Sequence, residues 1–278
     1  MIVIFYVYLI LSAVLIPLLD NFFEILRQSY SLWLVPLLFV AFFSGFLLLH
    51  ALVTVSVIAA TNVKKPPRGT AAFRLLANLT IPLLLKLTRV SVNATGTDAV
   101  PDKARMLFVC NHQHDLDPVM LMSVFPNADL GFIGKKDIYT EMPFIAKAMH
   151  RLNCLPIDRE NDRAAAKTII EAARMLKSGR ASVGLFPEGY TSKSCELLPF
   201  RNGSFKIGYR AEAPIVVCVI NNTRAVPKRL FIHRTEVRVH VAEVIPFELY
   251  KDMTTSELGD RIHAVMNTEL EKLKNENR

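Results

Sequence analysis

The segment LFVCNHQHDLDPVM (107–120) carries two histidines and two aspartates within six positions: His112, His114, Asp115 and Asp117. Such a cluster could bind a metal ion, supply a general base, or begin a helix. A carboxylate beside an imidazole fixes its tautomer and leaves the other ring nitrogen as a base near neutral pH. His112 and Asp117 are five residues apart, so they can meet only if the chain turns between them.

The metal and helix alternatives explain less of this segment. HQHDLD begins like the HxHxDH pattern of metallo-hydrolases, but Leu116 and Asp117 stand where that pattern has Asp and His. Asp117 followed by Pro118 is also a favourable N-cap and first helical position. A cap accounts for Asp117 but not for the two histidines. These residues alone do not decide between the metal site, the general base and the helix start.

The Ser and Cys residues of the sequence restrict which group could act as a nucleophile. No Ser or Cys lies in a nucleophile-elbow context, so a base at His112 would act on a hydroxyl of the substrate. The four cysteines are widely separated and form no CxxC pair, which predicts neither a disulfide framework nor a zinc site. Three of them, Cys110, Cys154 and Cys218, lie in strand-like segments and are expected to be buried free thiols.

The distribution of charge points to a membrane. Residues 1–62 contain only Asp20, Glu24 and Arg27 as formal charges. Residues 63–278 carry 32 of the 33 Lys and Arg and 23 of the 25 Asp and Glu, a net charge of +9. No helix-turn-helix, zinc-finger or RNP pattern organises these charges, so no nucleic-acid partner is expected. The apolar residues 1–62 and the basic residues 63–278 together predict a partner that is anionic and lies at a membrane, namely a membrane lipid.

The leader contains two apolar segments, 1–19 and 32–61, and each is free of formal charge. Both reach the ~20 residues that cross a bilayer, so residues 1–62 are predicted to be a membrane-anchoring helical hairpin. The alternative is a pair of helices half-immersed in one leaflet. Four basic residues in 62–74 then predict a plasma-membrane protein with residues 63–278 on the cytoplasmic side. Residues 73–92 read as an interfacial helix or, alternatively, a core-packed amphipathic one.

From residue 106 onward, short apolar runs alternate with segments of helical period. We predict strands at MLFVC, LGFIG, CLPID, ASVGLF, PIVVCVIN and EVRVHVAEVI, and helices between them. This order predicts an α/β domain with a mixed, mostly parallel sheet flanked by helices. The predicted strands are followed by His112, Lys135, Arg159 and Glu188, which should meet at the carboxyl edge of the sheet.

Four ordered motifs resemble the glycerolipid acyltransferase family, which includes the bacterial 1-acylglycerol-3-phosphate acyltransferases. NHQHDLD is similar to the family's NHxxxxD motif, and GKKDIYTEMPFIAKAMHRLNCLPIDRE to its second block. LFPEGYTS resembles the FPEGTRS block, and APIVVCVI the closing strand. The resemblance covers about residues 95–221 and implies a glycerol-3-phosphate acyltransferase-like fold.

The resemblance also implies roles for individual residues. His112 matches the general base and Asp117 the aspartate that orients it, whereas His114 and Asp115 fall at variable positions. Substrate-binding roles are implied for four more positions: Lys135 and Arg159 on the acceptor phosphate, Glu188 in holding the acceptor, and Gly189 in close backbone approach.

One position departs from the family pattern. Tyr190 and Thr191 stand where Thr-Arg is usual, so Lys193 or Arg201 would have to supply the missing charge. The motif alone therefore does not identify the headgroup of the acceptor.

The expected function is transfer of a fatty acyl group from acyl-CoA or acyl carrier protein to lysophosphatidic acid, which gives phosphatidic acid. No metal or other cofactor is expected, because the thioester is already activated. Backbone N–H groups near Gly189 or at the helix beginning at Pro118 could stabilise the oxyanion. The alternatives are another lysolipid acceptor, a metal-dependent hydrolase and a non-catalytic lipid-binding anchor.

Overall fold

The computed structural model describes residues 10, 13, 14, 31–65, 67, 69–102, 104–192, 194 and 196–275. Most of the first predicted span, together with Lys193 and Cys195, lies outside the described residues. The chain divides into two compact units, Met1–Ala60 and Thr61–Arg278.

The described part of the first unit is dominated by helix α1 (Ser31–Ala59). Its stretch Pro36–Ala59 has 24 residues and a mean hydropathy of 2.3. That length exceeds the ~20 residues needed to cross a hydrocarbon core. Within the described residues it is the single helix with these properties, so the two-helix hairpin stays a prediction.

The second unit is built on one seven-stranded sheet with the order β1-β7-β6-β2-β5-β3-β4. Its strands are β1 (Val90–Thr95), β2 (Leu107–Cys110), β3 (Gly131–Lys135), β4 (Leu155–Ile157), β5 (Val183–Leu185), β6 (Ile215–Asn221) and β7 (Thr235–Ile245). Only the β6–β7 pair is antiparallel among these neighbours. The prediction of a mixed, mostly parallel sheet is confirmed.

Helices cover both faces of this sheet. They are α2 (Ala71–Leu87), α3 (Asp117–Val124), α4 (Ile138–Glu141), α5 (Pro143–Arg151), α6 (Asp162–Lys177), α7 (Lys206–Ala211), α8 (Val226–Arg229) and α9 (Thr255–Asn275). Short 3₁₀ turns lie at Thr97–Ala99, Asn202–Phe205, Thr223–Ala225 and Phe247–Leu249. The helical segment predicted between the strands ASVGLF and PIVVCVIN is a 3₁₀ turn followed by α7.

Strand β2 shows how the two cores form. Leu107 and Val109 face a core with α6, α7 and α9, whereas Phe108 and Cys110 face a second core with α3. This alternation follows from the two-residue period of a strand. Cys110, Cys154 and Cys218 are buried free thiols, as predicted.

Two helices begin with side-chain caps. Asn161 caps α6 by accepting a hydrogen bond from the Ala164 N–H at 3.0 Å. At the start of α9, Thr254 N–H donates to the Glu257 carboxylate at 2.6 Å, and Glu257 N–H donates to the Thr254 hydroxyl at 3.2 Å. These reciprocal bonds form a capping box.

The segment 73–92 was wrongly assigned to one helix. Helix α2 ends at Leu87, and residues from Val90 onward form an edge strand, which pairs with β7 in parallel from Val90 opposite Thr235. That partner lies about 145 residues away, so local periodicity does not reveal it. One face of α2 packs on the sheet unit, since Phe73 is buried and Arg74 donates to the Leu130 and Leu152 carbonyls.

Gly184 on β5 leaves room for the ring of Phe132 on β3. A Cβ at position 184 would lie 2.2 Å from Phe132 Cε1. We expect Gly184→Ala to lower the free energy of unfolding by about 1–3 kcal/mol, because the buried ring has to shift. Chemical denaturation of the purified protein in detergent measures this difference.

The matched control is Gly203→Ala, whose Cβ would meet no atom within 4 Å. The double variant Gly184→Ala/Phe132→Leu should recover part of the loss. Equal unfolding curves for the two single variants would contradict the packing explanation.

Candidate active site

The carboxyl end of β2 is fixed to β6 by the side chain of Asn111. Its amide nitrogen donates to the Ile220 carbonyl at 2.9 Å, and its amide oxygen accepts from the Ile220 N–H at 2.7 Å. The side chain thus replaces a pair of backbone hydrogen bonds beyond the end of the strand. Sequence reasoning gave Asn111 no role, although it is the first residue of the NHxxxxD-like motif.

His112 and Asp117 are in direct contact. Asp117 Oδ2 accepts from His112 Nδ1 at 2.8 Å, from the Gln113 N–H at 2.6 Å and from the His114 N–H at 2.8 Å. The Asp117 side chain is fully buried. The carboxylate therefore closes the turn that brings the imidazole back towards it.

Asp117 does not have the predicted role of an N-cap. It is the first residue of α3, the N-cap position belongs to Leu116, and the carboxylate bonds to the preceding turn. A carboxylate in the first helical turn is nevertheless favoured by the helix dipole.

The His112 ring is held from two sides. With Nδ1 donating to Asp117, the hydrogen-bond network assigns the free lone pair to Nε2. The ring stacks on Phe186, with centroids 4.2 Å apart and planes 15° apart. Phe186 stacks in turn on Phe132, with a centroid distance of 5.4 Å. The imidazole side chain is 11% exposed, so it is oriented by the protein while remaining accessible.

Glu188 is bonded to the backbone on both of its oxygens. Oε1 accepts from the His112 N–H at 2.7 Å and Oε2 from the Leu198 N–H at 2.8 Å. Burial raises the pKa of this carboxyl group, while these two donors act in the opposite direction. Glu188 thus positions His112, and its predicted contact with an acceptor stays a prediction.

The predicted cations lie on neighbouring strands at the same edge. Lys135 ends β3, and Arg159 follows β4, which pairs with β3 in parallel. Lys135 is 54% exposed and forms an ion pair with Asp137, which raises the pKa of the lysine. Arg159 is partly buried, and desolvation lowers its pKa although Tyr190, Asp115 and Asp137 act in the opposite direction.

Tyr190 contacts two guanidinium groups with its ring. The Arg159 and Arg201 Cζ atoms are each 5.3 Å from its ring centroid. Arg201 Nη2 donates to the Tyr190 hydroxyl at 3.1 Å, and Arg201 Nη1 donates to the Arg159 carbonyl at 3.4 Å. The sequence showed that Tyr190 was unusual here, but not that it joins two arginines.

Gly189 has the close approach that its residue type predicts. Its φ is +74°, and a Cβ there would lie 3.1 Å from Arg201 Cδ and Nε. The approaching group in this structure is thus the Arg201 side chain. Both a left-handed backbone and this contact favour glycine.

A pocket of about 410 Å³ lies beside the arginines. Its lining combines apolar side chains, among them Ile133, Ile169 and Leu185, with four cations and one carboxylate: Arg159, Arg201, Lys206, Arg210 and Asp162. Phe186 also lines the pocket and contacts His112 with its ring, while His112 itself is outside the lining.

The N–H groups of Gly189 and of the start of α3, which belong to the two segments predicted to stabilise the oxyanion, have other hydrogen-bond acceptors in this structure. The Gly189 N–H donates to the Phe186 carbonyl at 3.1 Å. At the start of α3, the Val119 and Met120 N–H groups donate to the Leu116 carbonyl.

The described side chains offer no set of ligands for the metal site considered above. Within the described part of the chain, no group of three His, Cys, Asp or Glu side chains could hold a metal ion.

Replacement of Glu188 separates a positioning role from a contact with substrate. Glu188→Gln offers one acceptor oxygen for two backbone N–H donors, so one buried N–H loses its partner. We expect the free energy of unfolding to fall by about 1–3 kcal/mol. Glu196→Gln, an exposed position in the same loop, is the matched control in denaturation experiments. A raised KM for the acceptor with unchanged stability would instead indicate substrate binding.

Comparison with known proteins gives consistent matches. A family model described as Acyltransferase matches residues 91–221. A Caenorhabditis elegans relative is 29% identical over 184 residues, which are 65% of this chain and 64% of that protein. A Salmonella typhimurium 1-acyl-sn-glycerol-3-phosphate acyltransferase is 30% identical over 174 residues, covering 61% and 69% of the two chains.

The chain thus spans just under two thirds of the Caenorhabditis elegans relative. The crystal structure of the 1-acyl-sn-glycerophosphate (LPA) acyltransferase PlsC from Thermotoga maritima is similar with a TM-score of 0.58. It is 23% identical and covers 72% of this chain and 81% of its own, which supports the fold. The family match and the Salmonella relative show that this chain belongs to the acyltransferase family.

Proposed function

We propose that this protein transfers a fatty acyl group from a thioester donor to the free hydroxyl of 1-acyl-sn-glycerol-3-phosphate, giving phosphatidic acid. The observation that carries the proposal is the 2.8 Å hydrogen bond between His112 Nδ1 and Asp117, in a chain of the acyltransferase family. The names of relatives such as the Salmonella typhimurium protein support the acceptor. Both acyl-CoA and acyl carrier protein fit as donors.

The contacts of His112 suggest how the reaction proceeds. Asp117 holds Nδ1–H, so Nε2 takes the proton of the acceptor hydroxyl. The oxygen attacks the thioester carbonyl, and the tetrahedral oxyanion collapses with loss of thiolate, which can recover the proton from the imidazolium. Asp117 stabilises the imidazolium meanwhile, as in other base–carboxylate pairs. The protein supplies no nucleophile, and the activated thioester requires neither a metal nor ATP.

The arginine pair supports a phosphate-bearing acceptor. A guanidinium can bind a phosphate with two parallel hydrogen bonds. Arg201 lies beside Tyr190 and Arg159, which makes it the candidate for the charge of the usual motif arginine. Lys193, the other candidate, lies outside the described residues. Lys135 would add a mobile charge at the same edge.

The pocket and the helix α1 support amphiphilic substrates at a membrane. A pocket lined by apolar side chains and by more cations than carboxylates fits a molecule with an acyl chain and an anionic head. Helix α1 has the length and hydropathy of a span. The Lys and Arg bias after it favours a plasma-membrane enzyme whose residues 63–278 face the cytoplasm.

A second acceptor class is favoured by one observation, the replacement of Thr-Arg by Tyr190 and Thr191. A different lysophospholipid would still meet the same base. A panel of lysolipids assayed with both donors separates the two acceptors. A preference for the phosphate monoester over lysolipids with larger headgroups supports lysophosphatidic acid, and the reverse order supports the second class.

His112→Ala tests the chemistry. Removal of a general base should lower kcat by about 10²–10⁴-fold. The matched control is His114→Ala, because the His114 ring accepts only a local bond from the Leu116 N–H at 3.2 Å among its described contacts. Thermal unfolding checks that both variants are folded, and His112→Ala should unfold at a lower temperature than His114→Ala because it loses the bond to Asp117 and the stacking on Phe186. Retained activity in a folded His112→Ala protein would contradict the role of His112 as the general base.

Arg201→Ala tests the phosphate contact. Loss of a hydrogen bond to a charged group is worth about 1.5–3 kcal/mol, or roughly a tenfold to hundredfold loss in kcat/KM for lysophosphatidic acid. Tyr190→Phe keeps the ring that both arginines contact and should have a smaller effect. Lys251→Ala, an exposed position after β7, is the control. If Arg201→Ala behaves like this control, the phosphate contact lies elsewhere.

A further inference from the structure

The connection between β6 and β7 exposes two large apolar side chains. Phe231 is 65% and Ile232 is 68% exposed, the highest values for large hydrophobic residues in the described part of 61–278. Phe231 has φ +64°, a conformation that a bulky residue rarely adopts. The turn is nevertheless ordered by hydrogen bonds, since the Ile232 and His233 N–H groups donate to the Arg229 carbonyl at 3.1 and 3.0 Å. The chain therefore holds both side chains outward.

Basic residues surround this apolar pair. Lys228, Arg229 and Arg234 are exposed, and no Asp or Glu occurs between Glu212 and Glu236. The surface thus combines large apolar side chains with a purely cationic border. Segments of this composition favour the interface of a membrane with anionic lipids.

The end of α2 extends the same surface. Leu84 and Leu87 are 49% and 59% exposed, and the Arg89 carbonyl accepts from the Thr235 N–H at 3.0 Å. This bond places the end of α2 beside the start of β7, directly after Arg234. Lys86 and Arg89 are exposed here, and no acidic residue occurs from 61 to 97.

The surface lies at the edge of the sheet that carries the candidate active site. Strands β2 and β6 are parallel, so the chain leaves β6 at the same edge at which it leaves β2 towards His112. Arg224 Nη1 donates to the Ser192 carbonyl at 2.9 Å, and the Ser192 N–H donates to the His112 carbonyl at 2.8 Å. The connection is thus joined to the base through one residue.

We infer that this edge surface, formed by Leu84, Leu87, Phe231 and Ile232 with their basic neighbours, docks on an anionic lipid bilayer. The apolar side chains enter the headgroup–acyl boundary and the Lys and Arg side chains face lipid phosphates. A second copy of the chain is a poor occupant, because like charges would meet. This contact is additional to any anchoring by residues 1–60, and only its consequence rests on the proposed function. It would hold His112 at the interface where both amphiphilic substrates reside.

The test uses the full chain, reconstituted in vesicles that contain lipids brominated along the acyl chain. The chain has one tryptophan, so Trp33→Phe provides a background into which Phe231→Trp is introduced. We expect several-fold stronger bromine quenching of the indole at position 231 than at position 249 in the matched variant Leu249→Trp. Leu249 is 56% exposed, but it follows β7 at the opposite edge of the sheet and has Glu248 beside it.

Charge is tested in the same protein. Phosphatidylcholine vesicles with phosphatidylglycerol should give stronger quenching at position 231 than phosphatidylcholine alone. Adding Lys228→Glu and Arg234→Glu should remove most of that difference. Equal quenching at positions 231 and 249 would overturn the inference. So would an indole emission at position 231 that shifts to the blue with protein concentration but is not quenched, since it would show contact between copies.

The readout needs no turnover, which keeps this inference separate from the proposed function. Introducing His112→Ala should leave the quenching at position 231 unchanged. Quenching without acyl transfer in the parent protein would contradict the enzyme proposal alone. Acyl transfer without quenching would contradict the docking surface alone.

Discussion

A single buried oxygen atom organises the candidate active site. Asp117 Oδ2 receives three N–H groups from residues 112–114, one of them from the imidazole. Three donors on one carboxylate oxygen require the chain to turn tightly after β2, and they leave the ring with one possible orientation. Asp117 is also the first residue of α3. The three hydrogen bonds to its Oδ2 therefore fix both the start of the helix and the position of the base. A change at Asp117 would thus alter the turn, the helix start and the base together.

Much of the fold could be predicted from local pattern. Strand β6 reads as a continuous apolar run because it is buried along its whole length. Strand β7 alternates because one face is partly exposed. The caps of α6 and α9 are set by residues three apart, which sequence shows directly. Strand β1 escaped prediction because its identity depends on pairing with a distant segment.

The sequence showed which residues form the candidate site better than it showed what each of them contacts. The family resemblance selects His112, Asp117, Lys135, Arg159, Glu188 and Gly189, and the sheet brings the polar ones to one edge. Their partners could not be predicted, since Glu188 bonds to Leu198 and to a residue 76 positions away. Tyr190 appeared as a departure from the motif, and only the folded chain brings its ring against both Arg159 and Arg201.

The two bonds of Glu188 have a consequence for how such an enzyme can diversify. The carboxylate fastens the segment 189–197 at both ends, to the strand exit at His112 and to Leu198. The segment is thus a tethered loop whose interior, including Tyr190, can change sequence while the fastening holds the base. Inside the loop, the Ser192 N–H also donates to the His112 carbonyl at 2.8 Å, so this residue takes part in positioning the base. Substitutions at Tyr190 can therefore change the contacts with the headgroup while Glu188 and Ser192 hold His112 in place.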